Sequence, residues 1–171
     1  IYIVGISAYY HDSAACIIKN GKILAAAQEE RFSRIKQDPK FPEKALDFCL
    51  KKAGININDV DYLVFYEKPN LKFQRLLKTY LSYAPFGFKS YIKSMPLWFS
   101  EKIWIKKDIK KKSGFKGDII CVKHHESHSA SAFFPSPYKQ SAILTMDGVG
   151  EWTTTSFGEG KNNNIDIQSE I

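Results

Sequence analysis

Twice along this chain a strand-like run breaks at an acidic turn, and each time two further strands follow. The first copy reads Ile1–Ser7, a turn Ala8–Ser13 bearing His11 and Asp12, Ala14–Lys19, the pair Asn20-Gly21, and Lys22–Ala27. The second reads Ser141–Met146, a tight turn Asp147–Gly150, Trp152–Phe157, a turn at Gly158-Glu159-Gly160, and a strand from Ile165 onward. Asn-Gly accepts the positive φ of a two-residue hairpin, so the chain is expected to open with an antiparallel three-strand meander. Ile1–Ser7 alternates poorly, which predicts burial on both faces.

Between the two copies the period changes. Pro42 marks a helix start, and Ala45, Leu46, Cys49, Leu50 and Ala53 form an apolar stripe that stops at Gly54. Asp61–Tyr66 is a short buried strand, and the order helix then strand implies a crossover back onto the sheet. From Leu71 to about Ser113 the pattern is helical, with breaks near Pro85-Phe86-Gly87 and at Pro96. Tyr80, Tyr83, Phe86, Phe88, Tyr91, Trp98, Phe99 and Trp104 read as packing residues of an inserted aromatic-rich helical lobe, with a bulky substrate pocket as the alternative. Ile119–Val122 is the next strand, and a histidine-bearing helix follows it. The expected organisation is therefore 1–70, a meander with a helix and a strand; 71–115, the lobe; and 116–171, the histidine helix with the second meander.

At 171 residues, 44% hydrophobic and 25% charged, the chain has the composition of one globular domain. No apolar run approaches the ~20 residues that span a bilayer, so no membrane is expected. The amino terminus is strand-like and lacks the marks of a signal peptide. Cys16, Cys49 and Cys121 are odd in number and scattered in apolar runs, which reads as buried thiols of a reducing cytoplasm. The net charge of +7 is concentrated in Lys102, Lys106, Lys107, Lys110, Lys111 and Lys112. A lysine run with no nucleic-acid signature among the residues around it reads as a solvated face, with attraction of an anionic substrate such as a phosphate ester as the alternative. The chain starts without methionine and stops inside a strand-like run, so it is expected to be a piece of something longer.

Three of the four histidines lie within five positions, in Lys123-His124-His125-Glu126-Ser127-His128. On a helix His124 and His128 share one face, one turn apart, so two neutral ring nitrogens can converge on one metal ion. The alternative is a polar helix start with solvent-facing histidines. A strand-to-helix junction is where α/β folds place ligand sites, and the small residues Ser129, Ala130, Ser131 and Ala132 allow close packing behind it. Asp147 follows His128 by 19 positions, at a strand end before Gly148 and Gly150. Two imidazoles and a carboxylate suit iron(II), zinc or manganese, with positions left for substrate oxygens. An ordinary Asp-Gly turn is the competing reading for Asp147. The two glycines either let a ligand approach the backbone or simply serve the turn. His11 is either a general base or phosphate contact oriented by a carboxylate, or a turn residue. Glu29, Glu30, Arg31, Arg34 and Lys36 read as a solvated charged run leaving the sheet.

Four blocks in order, Gly5–Ala15, Gln28–Arg34, His124–Phe133 and Met146–Glu151, together resemble the O-carbamoyltransferases of nodulation-factor and antibiotic biosynthesis. The resemblance implies an actin-like ATPase or ribonuclease H-like mixed sheet with flanking helices, here its first half and the start of its second. A meander repeated at the head of each half is how that fold is built. It further implies a metal held by His124, His128 and Asp147, completed by an aspartate from the later half that this sequence does not contain. Asp12, Gly148 and Gly150 would contact the nucleotide part of the donor, and His11 would deprotonate the acceptor. The implied reaction joins carbamoyl phosphate and ATP as carbamoyladenylate in a second, smaller domain. The carbamoyl group then passes to a hydroxyl of a sugar-like or antibiotic-like small molecule. The implied partners are those substrates and the remainder of the same polypeptide, and the chain alone is expected to be inactive. The rival readings are a transfer-RNA threonylcarbamoyl transferase component and a non-catalytic nucleotide- or partner-binding domain.

Overall fold

Backbone pairing of the apolar runs builds two sheets in the computed structural model, which describes residues 1–97, 104–148 and 150–171. In chain order the elements are β1 (Tyr2–Ser7), β2 (Ala14–Lys19), β3 (Lys22–Gln28), α1 (Glu30–Ser33), α2 (Glu43–Ala53) and β4 (Tyr62–Phe65). There follow α3 (Pro69–Tyr83), α4 (Phe88–Leu97), α5 (Ile105–Ser113), β5 (Ile119–Cys121), α6 (His124–Phe133), β6 (Gln140–Met146), β7 (Thr155–Lys161) and β8 (Asn164–Glu170). The chain divides into two compact units, Ile1–Tyr66 with Trp104–Cys121 and Glu67–Ile103 with Val122–Ile171.

In the first unit the expected meander is present: β1 pairs antiparallel with β2, and β2 with β3. The turn between β2 and β3 takes positive φ at Asn20 and Gly21. The helix crossover brings β4 parallel to β1, and β5 then lies parallel to β4, giving the order β3-β2-β1-β4-β5. This mixed sheet with flanking helices is the α/β class read from the sequence. Burial on β1 alternates instead of covering both faces: Val4 and Ile6 are buried, while Ile3 and Gly5 are half-buried. Gly5 stands opposite Cys16, and a side chain there would meet the Cys16 Sγ at 2.8 Å. Ala45, Leu46 and Cys49 of α2 are buried in the same core as Ile17, Leu63, Phe65 and Ile119. Ile105 and Ile109 of α5 join that core, and Lys106, Lys107, Lys111 and Lys112 face solvent, as expected of the lysine run. Lys102 lies outside the described residues. Of the three cysteines Cys49 is buried, and Cys16 and Cys121 are half-buried.

Glu29 departs from the solvated reading. It is buried, and its carboxylate accepts the Lys44 amide at 3.2 Å and the Ala45 amide at 2.8 Å, capping α2 from outside the helix.

The second unit holds the antiparallel sheet β6-β7-β8, with α6 packed against it. The meander is thus repeated, but β7 starts at Thr155, not Trp152, and runs through Gly158 and Gly160 to turn after Lys161. Those glycines mark close approach, not a turn. A Cβ on Gly160 would lie 2.7 Å from the Phe133 ring, and one on Gly158 would meet the Asp166 carbonyl. The turn falls at Asn162, in the left-handed region at φ 53°.

The helical stretch breaks between Tyr83 and Phe88 as expected, whereas α4 continues through Pro96 to Leu97 with no break at that proline. Tyr80 and Tyr91 pack edge to face at 4.9 Å. Tyr83, Phe86, Phe88 and Trp104, expected as packing residues, are exposed. Trp98 and Phe99 lie outside the described residues.

Candidate metal centre

The centre starts from a helix cap. Lys123 stands before α6 in extended conformation, and its amide donates to Glu126 at 3.2 Å, so the helix begins at His124. One turn separates His124 from His128, and both rings project from the same face with centroids 4.6 Å apart. After α6 the chain returns through β6, and Asp147 follows the strand's last residue, its amide donating to Thr154 at 2.8 Å. The loop closed by that bond spans 147–154, wider than the tight turn read from the sequence; Val149 lies outside the described residues.

These elements bring the predicted ligand set together. His124 Nε2 is 2.7 Å from Asp147 Oδ2, His128 Nε2 is 3.1 Å from His124 Nε2, and His128 Nε2 is 4.0 Å from Asp147 Oδ2. One ligand atom from each residue falls within 4.8 Å of the others. Ligands bound at about 2.0–2.2 Å from one ion stand roughly 3 Å apart, and the observed separations bracket that value. Burial, and then the neighbouring His128, hold His124 below the ordinary imidazole range against the pull of Asp147. A neutral ring is the form that ligates. Donor chemistry, spacing and protonation therefore fit a divalent metal.

Around the ligands lies a set of groups that the sequence did not announce. Glu151 is buried and accepts from the amides of His124, at 3.2 Å, and of Lys68. Burial and the neighbouring Glu67 push Glu151 up to about 7, against the hydrogen bond from the His124 amide. Glu67 is buried too and pairs with Lys72 at 3.1 Å. Buried His125 places Nδ1 3.4 Å from the Thr153 hydroxyl. A cavity of about 200 Å³ opens beside these residues, bounded by Leu71, Lys123, His125, Trp152 and Thr153 among others.

The remaining predicted residues divide between the units. Gly148 has open space where a side chain would stand, whereas a Cβ on Gly150 would collide with the Thr153 carbonyl. His11 and Asp12 lie in the first unit, on the turn between β1 and β2. His11 Nδ1 is 2.7 Å from Asp12 Oδ2, and both side chains reach solvent. That turn is fixed by the Tyr9 amide donating to Pro39, the Ser13 amide donating to Asp38, and the Tyr9 hydroxyl donating to Asp108 at 2.7 Å. No described helix is long and apolar enough to cross a membrane.

The chain resembles known proteins in sequence. The uncharacterized protein sll1178 of Synechocystis sp. is 51% identical over 178 residues, covering 99% of this chain and 29% of that protein. Nodulation protein NolNO of Sinorhizobium fredii is 32% identical over 163 residues, covering 92% of this chain and 22% of its own length. The chain thus spans under a third of either relative. Among solved structures, the ROK hexokinase from Thermus thermophilus aligns with a TM-score of 0.46 at 14% identity, over 96% of this chain and 47% of the hexokinase. A family model described as carbamoyltransferase N-terminus matches residues 2–171. With all but its first residue inside that match, the chain belongs to the carbamoyltransferase N-terminal family.

Proposed function

We propose that this chain carries the metal-binding part of an O-carbamoyltransferase, which passes a carbamoyl group to a hydroxyl of a sugar-like or antibiotic-like acceptor. The observation that carries the reading is the convergence of His124, His128 and Asp147 within 4.8 Å, in a member of a carbamoyltransferase family. In this reading carbamoyl phosphate and ATP supply the group as carbamoyladenylate, and the remainder of the polypeptide forms it.

His124 and His128 offer Nε2, and Asp147 offers a carboxylate oxygen, to an ion of the iron(II) type. When bound, that ion supplies Lewis acidity toward the carbamoyl carbonyl oxygen. Burial holds His124 below the ordinary imidazole range, which favours the neutral form that a metal requires. On the turn between β1 and β2, Asp12 Oδ2 accepts the Nδ1 proton of His11. That fixes the tautomer and leaves Nε2 to take the proton of the acceptor hydroxyl. In the second unit, the backbone at Gly148 and Gly150 would contact the nucleotide part of the donor.

The test supplies the intact protein with isotope-labelled carbamoyl phosphate, ATP and a panel of sugar hydroxyls. Label is expected in a carbamate ester on a small-molecule hydroxyl, falling to background when His124 and His128 are both changed to alanine. Label accumulating on transfer RNA instead would overturn this reading in favour of a threonylcarbamoyl-type activity.

A further inference from the structure

We propose that α3 and Glu151 form a clamp that fixes the loop carrying Asp147, with Glu151 and Arg75 as its positioning residues. The consequence for metal binding rests on the reading given above. Within the second unit, contacts from two helices converge on residues 150–152, a few positions past Asp147. The Glu151 carboxylate accepts from the amide of His124, the first residue of α6, and from that of Lys68, the cap of α3. One buried carboxyl group therefore joins the loop to the starts of two helices, where amides left without an intrahelical partner need an acceptor. Arg75 donates through Nη1 to the Gly150 carbonyl. Lys78 lies 4.7 Å above the Trp152 ring, and Lys72 pairs with buried Glu67, next to the α3 cap.

Arg75 and Lys78, three residues apart, both reach the loop from one side of α3. A loop with glycine at 148 and 150 has little local preference of its own. At Asp147 the backbone is tied across the loop by the amide's bond to the Thr154 carbonyl. Besides its direct contact with His124, the Asp147 carboxylate is then positioned through the loop, by groups that do not touch the ligand atoms. Groups in that position typically govern metal affinity by about 10–100-fold.

The experiment titrates the intact protein with cobalt(II), read by calorimetry and visible absorption. It also follows amide exchange of the metal-free protein in peptides spanning Lys68 and His124. Glu151→Gln and Arg75→Ala are expected to weaken cobalt binding about 10–100-fold and to speed exchange at both helix starts. Arg75→Lys, which keeps a donor for the Gly150 carbonyl, is expected to fall between them and wild type. Should Glu151→Gln unfold, Arg75→Lys carries the same two measurements. Variants that match wild type in exchange overturn the clamp, whatever the metal result. A wild type that binds no cobalt, with exchange still raised in the variants, supports the clamp and sinks the metal reading alone.

Discussion

Tyr9 sits in the left-handed region at φ 73°, which costs a residue with a side chain about 1–2 kcal/mol. Its contacts offset that cost: the amide donates to Pro39 at 2.8 Å, the hydroxyl donates to Asp108 at 2.7 Å, and Lys112 lies 5.4 Å from the ring centre. Burial opposes the charge on Asp108, yet the hydrogen bonds from Lys112 and Tyr9 outweigh it and hold the carboxyl below the usual carboxylate range. A depressed folded value contributes stability above the unfolded value near ~3.9 and loses it as pH falls through the folded one. Tyr9→Phe is therefore expected to cost about 1 kcal/mol at neutral pH. The gap should narrow near pH 3, as urea midpoints at the two pH values would show. With 37% of the Asp108 side chain exposed, solvent screening limits the charge part of the effect. Equal gaps at both pH values would show that the Asp108 charge contributes nothing. The same chain of contacts orders the turn that presents His11.

At the scale of elements, α2 lacks a cap from its own sequence, because Pro42 stands at the N-cap position and has no side-chain acceptor. Glu29 fills the role from β3's end, 16 positions before Ala45. Glu29→Ala removes the acceptor for two helix-start amides, so a loss of about 1–2 kcal/mol is expected. The denaturant midpoint should move with the slope unchanged, and an unmoved midpoint would remove Glu29 from that role. Glu29 also shows where reading the sequence stops. Local pattern was enough for the two meanders, the α2 stripe and the His124–His128 face, since each depends on residues a few positions apart. Asp147 was legible because a strand end places it. Glu151 was not: its tie to Lys68 spans 83 positions, and nothing local distinguishes an acid aimed at a distant helix start from one aimed at water. Gly158 and Gly160 misled for a related reason. A glycine that admits a neighbouring ring or carbonyl looks the same in sequence as one that turns the chain.

At the scale of the whole molecule, the ligand set belongs to one unit and the exposed lysines of α5 to the other. His124, His128 and Asp147 all belong to the second unit, whereas Lys106, Lys107, Lys111 and Lys112 belong to the first. A metal that binds only the folded ligand set stabilises by mass action the part that must be folded to hold it. At a free concentration one hundred times the dissociation constant, that stabilisation is about 2.7 kcal/mol, or roughly 100-fold in the population of opened molecules. Brief proteolysis of the intact protein, with fragments mapped by mass spectrometry, reads those openings site by site when reclosing is fast. Cleavage within α6 and β6–β8 should slow by up to that factor in saturating zinc(II) or iron(II) and recover with chelator. Cleavage within β1–β3 and α2 should change far less, because no proposed ligand comes from those elements. Protection spread evenly over both units would mean that the ion binds elsewhere or that the two units open as one, and local stabilisation by the histidine pair would fail as its explanation. Protection confined to the second unit and abolished by His128→Ala would tie the effect to one imidazole on one turn of α6.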